Sequence, residues 1–184
     1  MNFDFSDDEK LIQDQTARYL DRHCGSDRVR KILDGDESYD RTLWQGLAEM
    51  GLMGTAIPER FGGVDAGRLA LCLVARELGA RLAPVPFASS VYLASDALLQ
   101  FGSSEQQQRW LPGLAAGELV GTVAAVEQLT ELRAEDVRLQ AVPGSGEDFV
   151  LTGRKLIVAD GNIAGLAIVL ASAPQGLSLF LVDC

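Results

Sequence analysis

The sequence predicts an α+β protein: an N-terminal all-α helical bundle over residues 1–117, then an incomplete antiparallel β-domain over residues 118–184. Three observations carry this expectation. Apolar residues before Gly117 return at helical spacing, between recognisable caps. After Gly117 the period changes to two. The strand candidates come after the helices instead of alternating with them, which points to two domains in series and away from βαβ units.

The helices can be justified in order. Ser6 with Glu9 three places on forms a capping box, and Asp7 and Asp8 suit the positive end of a helix. Leu11, Ile12, Tyr19 and Leu20 then share one face. A second helix starts at Asp40, turns Leu43, Trp44, Leu47 and Met50 inward, and stops at Gly51. RLALCLVARELGARL (Arg68–Leu82) is apolar on most sides, the mark of a helix buried by neighbours, and Pro84 and Pro86 stop it. SSVYLASDALLQFG (Ser89–Gly102) is a further helix. SSEQQQRWLPGL (Ser103–Leu114) opens with a second capping box, Ser-x-x-Gln, and ends soon after Pro112.

The strands come next. Val123 to Val137 reads VAAVEQLTELRAEDV, an apolar strand that turns acidic. DVRLQAV alternates through Val137, Leu139 and Ala141, and PGSGED (Pro143–Asp148) is a turn cluster. No Gly-Lys-Ser/Thr comes after those glycines, so they mark a hairpin and not a phosphate loop. FVLTGRKLIV, GLAIVLAS and LSLFLVD are three further strand candidates. So few strands leave edges and one apolar face uncovered, and further chain or another subunit is expected to cover them.

Composition excludes several function classes. With 184 residues, 47% of them hydrophobic, the chain can bury one respectable core or two small ones. A formal net charge of −10 argues against a nucleic-acid partner, because phosphate binding needs clustered Lys and Arg. No apolar run approaches the ~18 residues of a membrane span. The start MNFDFSDDEK is acidic where a signal peptide would be basic and then apolar, so a soluble cytoplasmic protein is expected. Cys24, Cys72 and Cys184 are far apart and odd in number, which suggests neither a disulfide framework nor a zinc site. His23 reads as a solvated surface residue, and Trp44 and Trp110 as packing residues.

Three stretches in order, AIPERFGGVDAG (Ala56–Gly67), RELGARLAPVPF (Arg76–Phe87) and FGSSEQQQRWLPGLAAGELVGTVAAVE (Phe101–Glu127), resemble successive landmarks of the acyl-CoA dehydrogenases. The resemblance implies a flavoenzyme with an N-terminal helical domain, a middle β-domain and a C-terminal four-helix domain, with the first and most of the second present here. It implies FAD as cofactor and an acyl-CoA substrate oxidised to its trans-2-enoyl-CoA. A carboxylate takes the α-proton while the β-hydrogen leaves as hydride to the flavin. In the family that base belongs to the C-terminal domain, so no residue here is assigned as catalytic. None is assigned to a metal.

The resemblance also locates the cofactor segment. The family usually reads Ala-x-Thr-Glu-Pro-x-Ala-Gly-Ser-Asp where this sequence runs on from Ala124; Glu127 fits, but Val126 stands for the threonine and Gln128 for the proline. LTELRAED replaces the Gly-Ser turn, and its acidic residues repel a pyrophosphate. The family segment Gly-x-Lys-x-Trp-Ile-Thr-Asn-Gly is here GRKLIVADG, so Ile157 stands for the tryptophan, Ala159 for the threonine and Asp160 for the asparagine. Backbone N–H groups at Ala125, Val126 and Val158 remain able to meet an isoalloxazine ring. Thr122 and Thr130 are the nearest hydroxyls that could replace a lost contact. The cofactor-binding candidates are therefore Ala125, Val126, Thr130, Ile157, Val158 and Ala159.

Side-chain losses of this kind resemble the weaker subunit of two-subunit acyl-CoA dehydrogenases, some of which act on bulky steroid-derived acyl chains. The expectation is an oxidoreductase subunit of fatty acid or steroid degradation, partnered by a second acyl-CoA dehydrogenase-like chain or by self-association. FAD would be held weakly or not at all by this chain alone. The alternative is a non-catalytic structural partner that binds no flavin.

Overall fold

The computed structural model describes residues 4–128, 132–146 and 148–184. The chain divides into two compact units, Met1–Phe87 with Leu98–Glu118, and Ala88–Ala97 with Leu119–Cys184. The boundary expected at residue 117 therefore misses one excursion: the segment 88–97 goes with the strands.

In the helical unit, α1 (Asp7–His23) starts at the capping box, with Ser6 Oγ accepting from Glu9 N at 3.2 Å and Glu9 Oε2 accepting from Ser6 N at 2.7 Å. The helix α2 (Ser26–Asp34) was not anticipated. Gly25 caps it without a side-chain bond, so no cap announces it, and the short stripe of Val29, Ile32 and Leu33 was the available signal. Asp40 caps α3 (Arg41–Glu49) through Leu43 N and grips Arg28 through both carboxylate oxygens. The helix buries Leu43, Trp44 and Leu47, and the chain leaves it through left-handed Gly51; Met50, expected inward, is only half-buried.

In the PERFGG loop, a Cβ at Gly63 would lie 1.9 Å from the Ile57 carbonyl oxygen, so only glycine lets the chain fold back that tightly. Helix α4 (Gly67–Ala80) packs along α1, where Gln13 Nε2 donates to Glu77 Oε1 at 2.7 Å and Arg81 bridges Glu77 to Asp21. The short α5 (Asp96–Phe101) precedes α6 (Ser104–Ala115), which starts at the second capping box, Ser103 with Gln106, and runs on past Pro112 to Ala115. Trp44 Nε1 donates to Gly117 O at 2.8 Å, tying α3 to the end of the unit.

In the sheet unit, the strands are β1 (Gly121–Ala124), β2 (Gln140–Pro143), β3 (Phe149–Thr152), β4 (Leu166–Ala173) and β5 (Gly176–Asp183). The sheet is mixed. β2–β3 and β4–β5 pair antiparallel as expected, but β1 and β2 each pair parallel to β4. The long crossover from β1 to β4, which contains the β2–β3 hairpin, makes the parallel pairing possible. The alternating run FVLTGRKLIV stops being a strand at Thr152, because Gly153 and then Ile157 leave extended geometry.

One face of the sheet packs Ala124, Leu139, Ala141, Val169 and Ala171 together with Phe149, Leu151, Val158 and Phe180. Segment 88–95 is a π-helix laid against β1. Its serines explain that placement: Ser90 Oγ accepts from Gly121 N at 3.1 Å, and Ser95 Oγ donates to Ser90 O at 2.9 Å. Among the described residues, no helix is long and apolar enough to cross a membrane.

Candidate functional site

Two segments of the sheet unit come together beyond the end of β1. Leu156 N donates to Val126 O at 2.8 Å, which sets residues 125–128 beside residues 153–161. Lys155 locks the junction: its Nζ donates to Ala125 O at 3.0 Å and to Glu127 Oε1 at 2.6 Å. The two oxygens of Glu127 also accept from Leu139 N and Arg138 N, both at 3.0 Å. Only 5% of the lysine side chain and 12% of the glutamate side chain meet solvent. Burial alone would push the Glu127 carboxyl up, but hydrogen bonds from Lys155, Leu139 and Arg138 outweigh it, and the group ionises below the ordinary glutamate range. Through these hydrogen bonds the carboxylate ties the bend after β1 to Lys155 and to the start of β2.

The turn beyond Lys155 is strained. Ile157 has a φ of 49° and is 77% exposed, a left-handed conformation that crowds a β-branched side chain. Such a residue costs on the order of 1–3 kcal/mol and persists only where its surroundings dictate it. Two long-range hydrogen bonds do so here. Thr122 Oγ1, with Thr122 only 1% exposed, donates to Ala159 O at 2.6 Å. Ser89 Oγ donates to Asp160 Oδ2 at 2.5 Å, and Asp160 itself has a φ of 55°. Asp tolerates that region far better than Ile, because its short side chain bonds locally.

The sequence-derived candidates divide accordingly. Ala125 and Val126 are half-buried in the bend after β1, where with Glu127, Gln128, Leu132, Asp136 and Val137 they line an indentation of about 10 Å³, room for roughly one water. Ile157 and Ala159 face outward, while Val158 packs on the core. Thr130 lies outside the described residues. Thr122, one of the two hydroxyls considered as replacement donors, gives its proton to Ala159 O. Lys155, Ser89 and the anchoring role of Asp160 escaped sequence reasoning. A lysine directly before the apolar Leu156–Val158 was the available signal for the first; Ser89 bonds a residue 71 positions away and gave none.

These residues fit part of a flavin. Among the described residues no backbone oxygen accepts the N–H of Val126 or Val158, so two donors remain for a ring edge. For a diphosphate the surroundings are wrong: Lys155 is occupied by Glu127, and Asp136 adds negative charge at the indentation. No aromatic face and no free hydroxyl is supplied by Val126, Ile157 or Ala159.

Comparison with known proteins finds relatives along the whole of this chain. The family model described as acyl-CoA dehydrogenase, N-terminal domain, matches residues 6–118. The acyl-CoA dehydrogenase FadE27 of Mycobacterium tuberculosis is 34% identical over 163 residues, which are 89% of this chain and 42% of that protein. Among solved structures, a chain of the ChsE4-ChsE5 complex from Mycobacterium tuberculosis superposes with a TM-score of 0.88 at 32% identity, over 100% of this chain and 49% of that one. A chain of the Tcur3481-Tcur3483 steroid ACAD G363A variant gives 0.85 at 33% identity, over 96% and 48%. The chain spans about half the length, or less, of these relatives.

Proposed function

The chain belongs to the acyl-CoA dehydrogenase family, and from that premise we propose that it is the flavin-poor subunit of a two-chain, FAD-dependent acyl-CoA dehydrogenase. In this reading it contributes one wall of the flavin site, through the N–H groups of Val126 and Val158. A second acyl-CoA dehydrogenase-like chain supplies the contacts to the diphosphate. The flavin, when bound, supplies hydride acceptance during α,β-dehydrogenation of the acyl-CoA thioester. This chain's own residues orient a ring edge and keep that wall rigid. The observation that carries the reading is the clamp: Leu156 to Val126 and Lys155 to Glu127 preserve a ledge of backbone donors whose side chains no longer suit a flavin. A bulky, steroid-derived acyl group is the proposed substrate class, by analogy with the similar chain of the steroid ACAD.

A second reading has its own support. The polar side chains at the ledge are paired internally, as expected of a structural partner that binds no flavin. One experiment separates the two. Produced alone, the chain is expected to be colourless, to bind FAD no tighter than the high-micromolar range by calorimetry, and not to dehydrogenate acyl-CoA. Produced with a second acyl-CoA dehydrogenase-like chain, it gives a yellow complex absorbing near ~450 nm. In that complex Ile157→Trp quenches flavin fluorescence if the ledge faces the flavin and leaves it unchanged if it does not. Submicromolar FAD affinity of the chain alone overturns the proposal.

A further inference from the structure

We propose that Asp160 is the positioning residue of the ledge, acting through Ser89 to set the direction of the Val158 N–H. The inference rests on the reading that this ledge faces a flavin. The turn has two anchors of different kinds. Its near end is fixed by Leu156 N on Val126 O and by Lys155. Its far end is fixed by Ala159 O and the Asp160 carboxylate. Between them stands Ile157, which left to itself would relax to negative φ. That relaxation would rotate the peptide joining Ile157 to Val158 and carry the Val158 N–H away from its present direction.

The partner of Asp160 makes this more than a local turn contact. Ser89 is fully buried in the π-helix, and the adjacent Ser90 accepts from Gly121 N at the start of β1. β1 leads directly into Ala125 and Val126. One segment of chain therefore references both donors: Ser90 sets the strand that ends at Val126, and Ser89 sets the turn that presents Val158. The Ser89–Asp160 hydrogen bond fixes the spacing between the two N–H groups.

Backbone amide NMR of the full chain, with FAD titrated into the millimolar range, tests this. In the unsubstituted chain and in Asp160→Asn, the Val126 and Val158 amides are expected to shift together on one saturation curve. Asn keeps an oxygen for Ser89 and tolerates the left-handed turn. In Asp160→Ala and Ser89→Ala, the apparent affinity read at Val158 falls roughly tenfold, which is about 1.4 kcal/mol. The Val126 resonance, held by the untouched clamp, stays where it was in the free chain and reports that the unit is folded. Rescue by Asn with loss in Ala is a pattern that a general stability defect does not produce. If Asp160→Ala does not fold, Ser89→Ala decides, since it leaves the turn sequence intact. Equal responses of Val158 in the unsubstituted chain and in the alanine variants overturn the positioning role while leaving the flavin-facing ledge standing. Absence of any response at Val126 and Val158 in the unsubstituted chain overturns both.

Discussion

The helical unit and the sheet unit differ in what their polar groups hold. In the helical unit they sit at helix ends and at the solvent edge: Ser6, Asp40 and Ser103 cap helices, and Arg28, gripping Asp40, is 40% exposed. The caps are short in sequence and each contributes about 1 kcal/mol, while Gln13 to Glu77 and Arg81 to Asp21 join helices that are regular in their own right. In the sheet unit the polar contacts are long-range and part-buried, from Lys155 to Glu127, Thr122 to Ala159 and Ser89 to Asp160. They hold loops that carry no regular hydrogen-bonding ladder of their own. The first arrangement builds a scaffold from many replaceable parts. The second concentrates the geometry of a ledge in a few groups whose loss leaves a buried charge or an unsatisfied donor.

The largest expected effect tests that concentration directly. Lys155→Met strands the Glu127 carboxylate and should destabilise the sheet unit by about 3–5 kcal/mol, whereas Lys155→Met combined with Glu127→Leu should recover most of the loss. Urea denaturation monitored by probes in each unit measures both. If the single and double variants are equally unstable, the pair is no clamp and the contrast between the units fails.

Acid sharpens the same comparison. Because the folded Glu127 carboxyl ionises below its unfolded value, its contribution is fully present above the ordinary glutamate range and is lost as pH falls through the folded value. Amide exchange at Arg138 and Leu139, whose N–H groups donate to Glu127, should accelerate over that window beyond what the changing intrinsic rate gives. The capped turn at Ser103 relies on no carboxylate and supplies the control.

The smallest effect has the opposite sign. Ile157→Gly should stabilise the isolated chain by about 1 kcal/mol, since an exposed isoleucine gives up little burial while the left-handed conformation becomes free of strain. A loss of stability in thermal melts would mean that Ile157 is not strained, and the turn would then need no latch.

The same division explains what could be read from the sequence. Capping boxes at Ser6 and Ser103, the Asp40 start and the Gly51 stop were legible because cap chemistry acts over three or four residues. Helix α2 was missed, since Gly25 offers no capping side chain and the stripe of Val29, Ile32 and Leu33 is only one turn long. The burial of Val137, Leu139 and Ala141 keeps to the expected alternation even though β2 begins only at Gln140. Parallel pairing of β1 with β4 depends on a crossover that no local pattern encodes. At the candidate site, the segments around Val126 and Ile157 were locatable by resemblance. Their internal bracing was not, because Ser89 and Asp160 meet only in the folded chain.

The π-helix has a consequence for how this gene can vary in length. A π-turn accommodates one residue more per hydrogen-bonded ring than an α-turn. An in-frame loss of one codon between Ala88 and Ser95 would let the stretch rewind as α-helix, changing the directions in which its remaining side chains point. Ser89 and Ser90 serve two different partners, so no single rewinding keeps both engaged. Point substitutions along the exposed side of this stretch, at Leu93 for example, leave the winding intact. The segment should therefore accept spelling changes far more readily than changes in its count of residues.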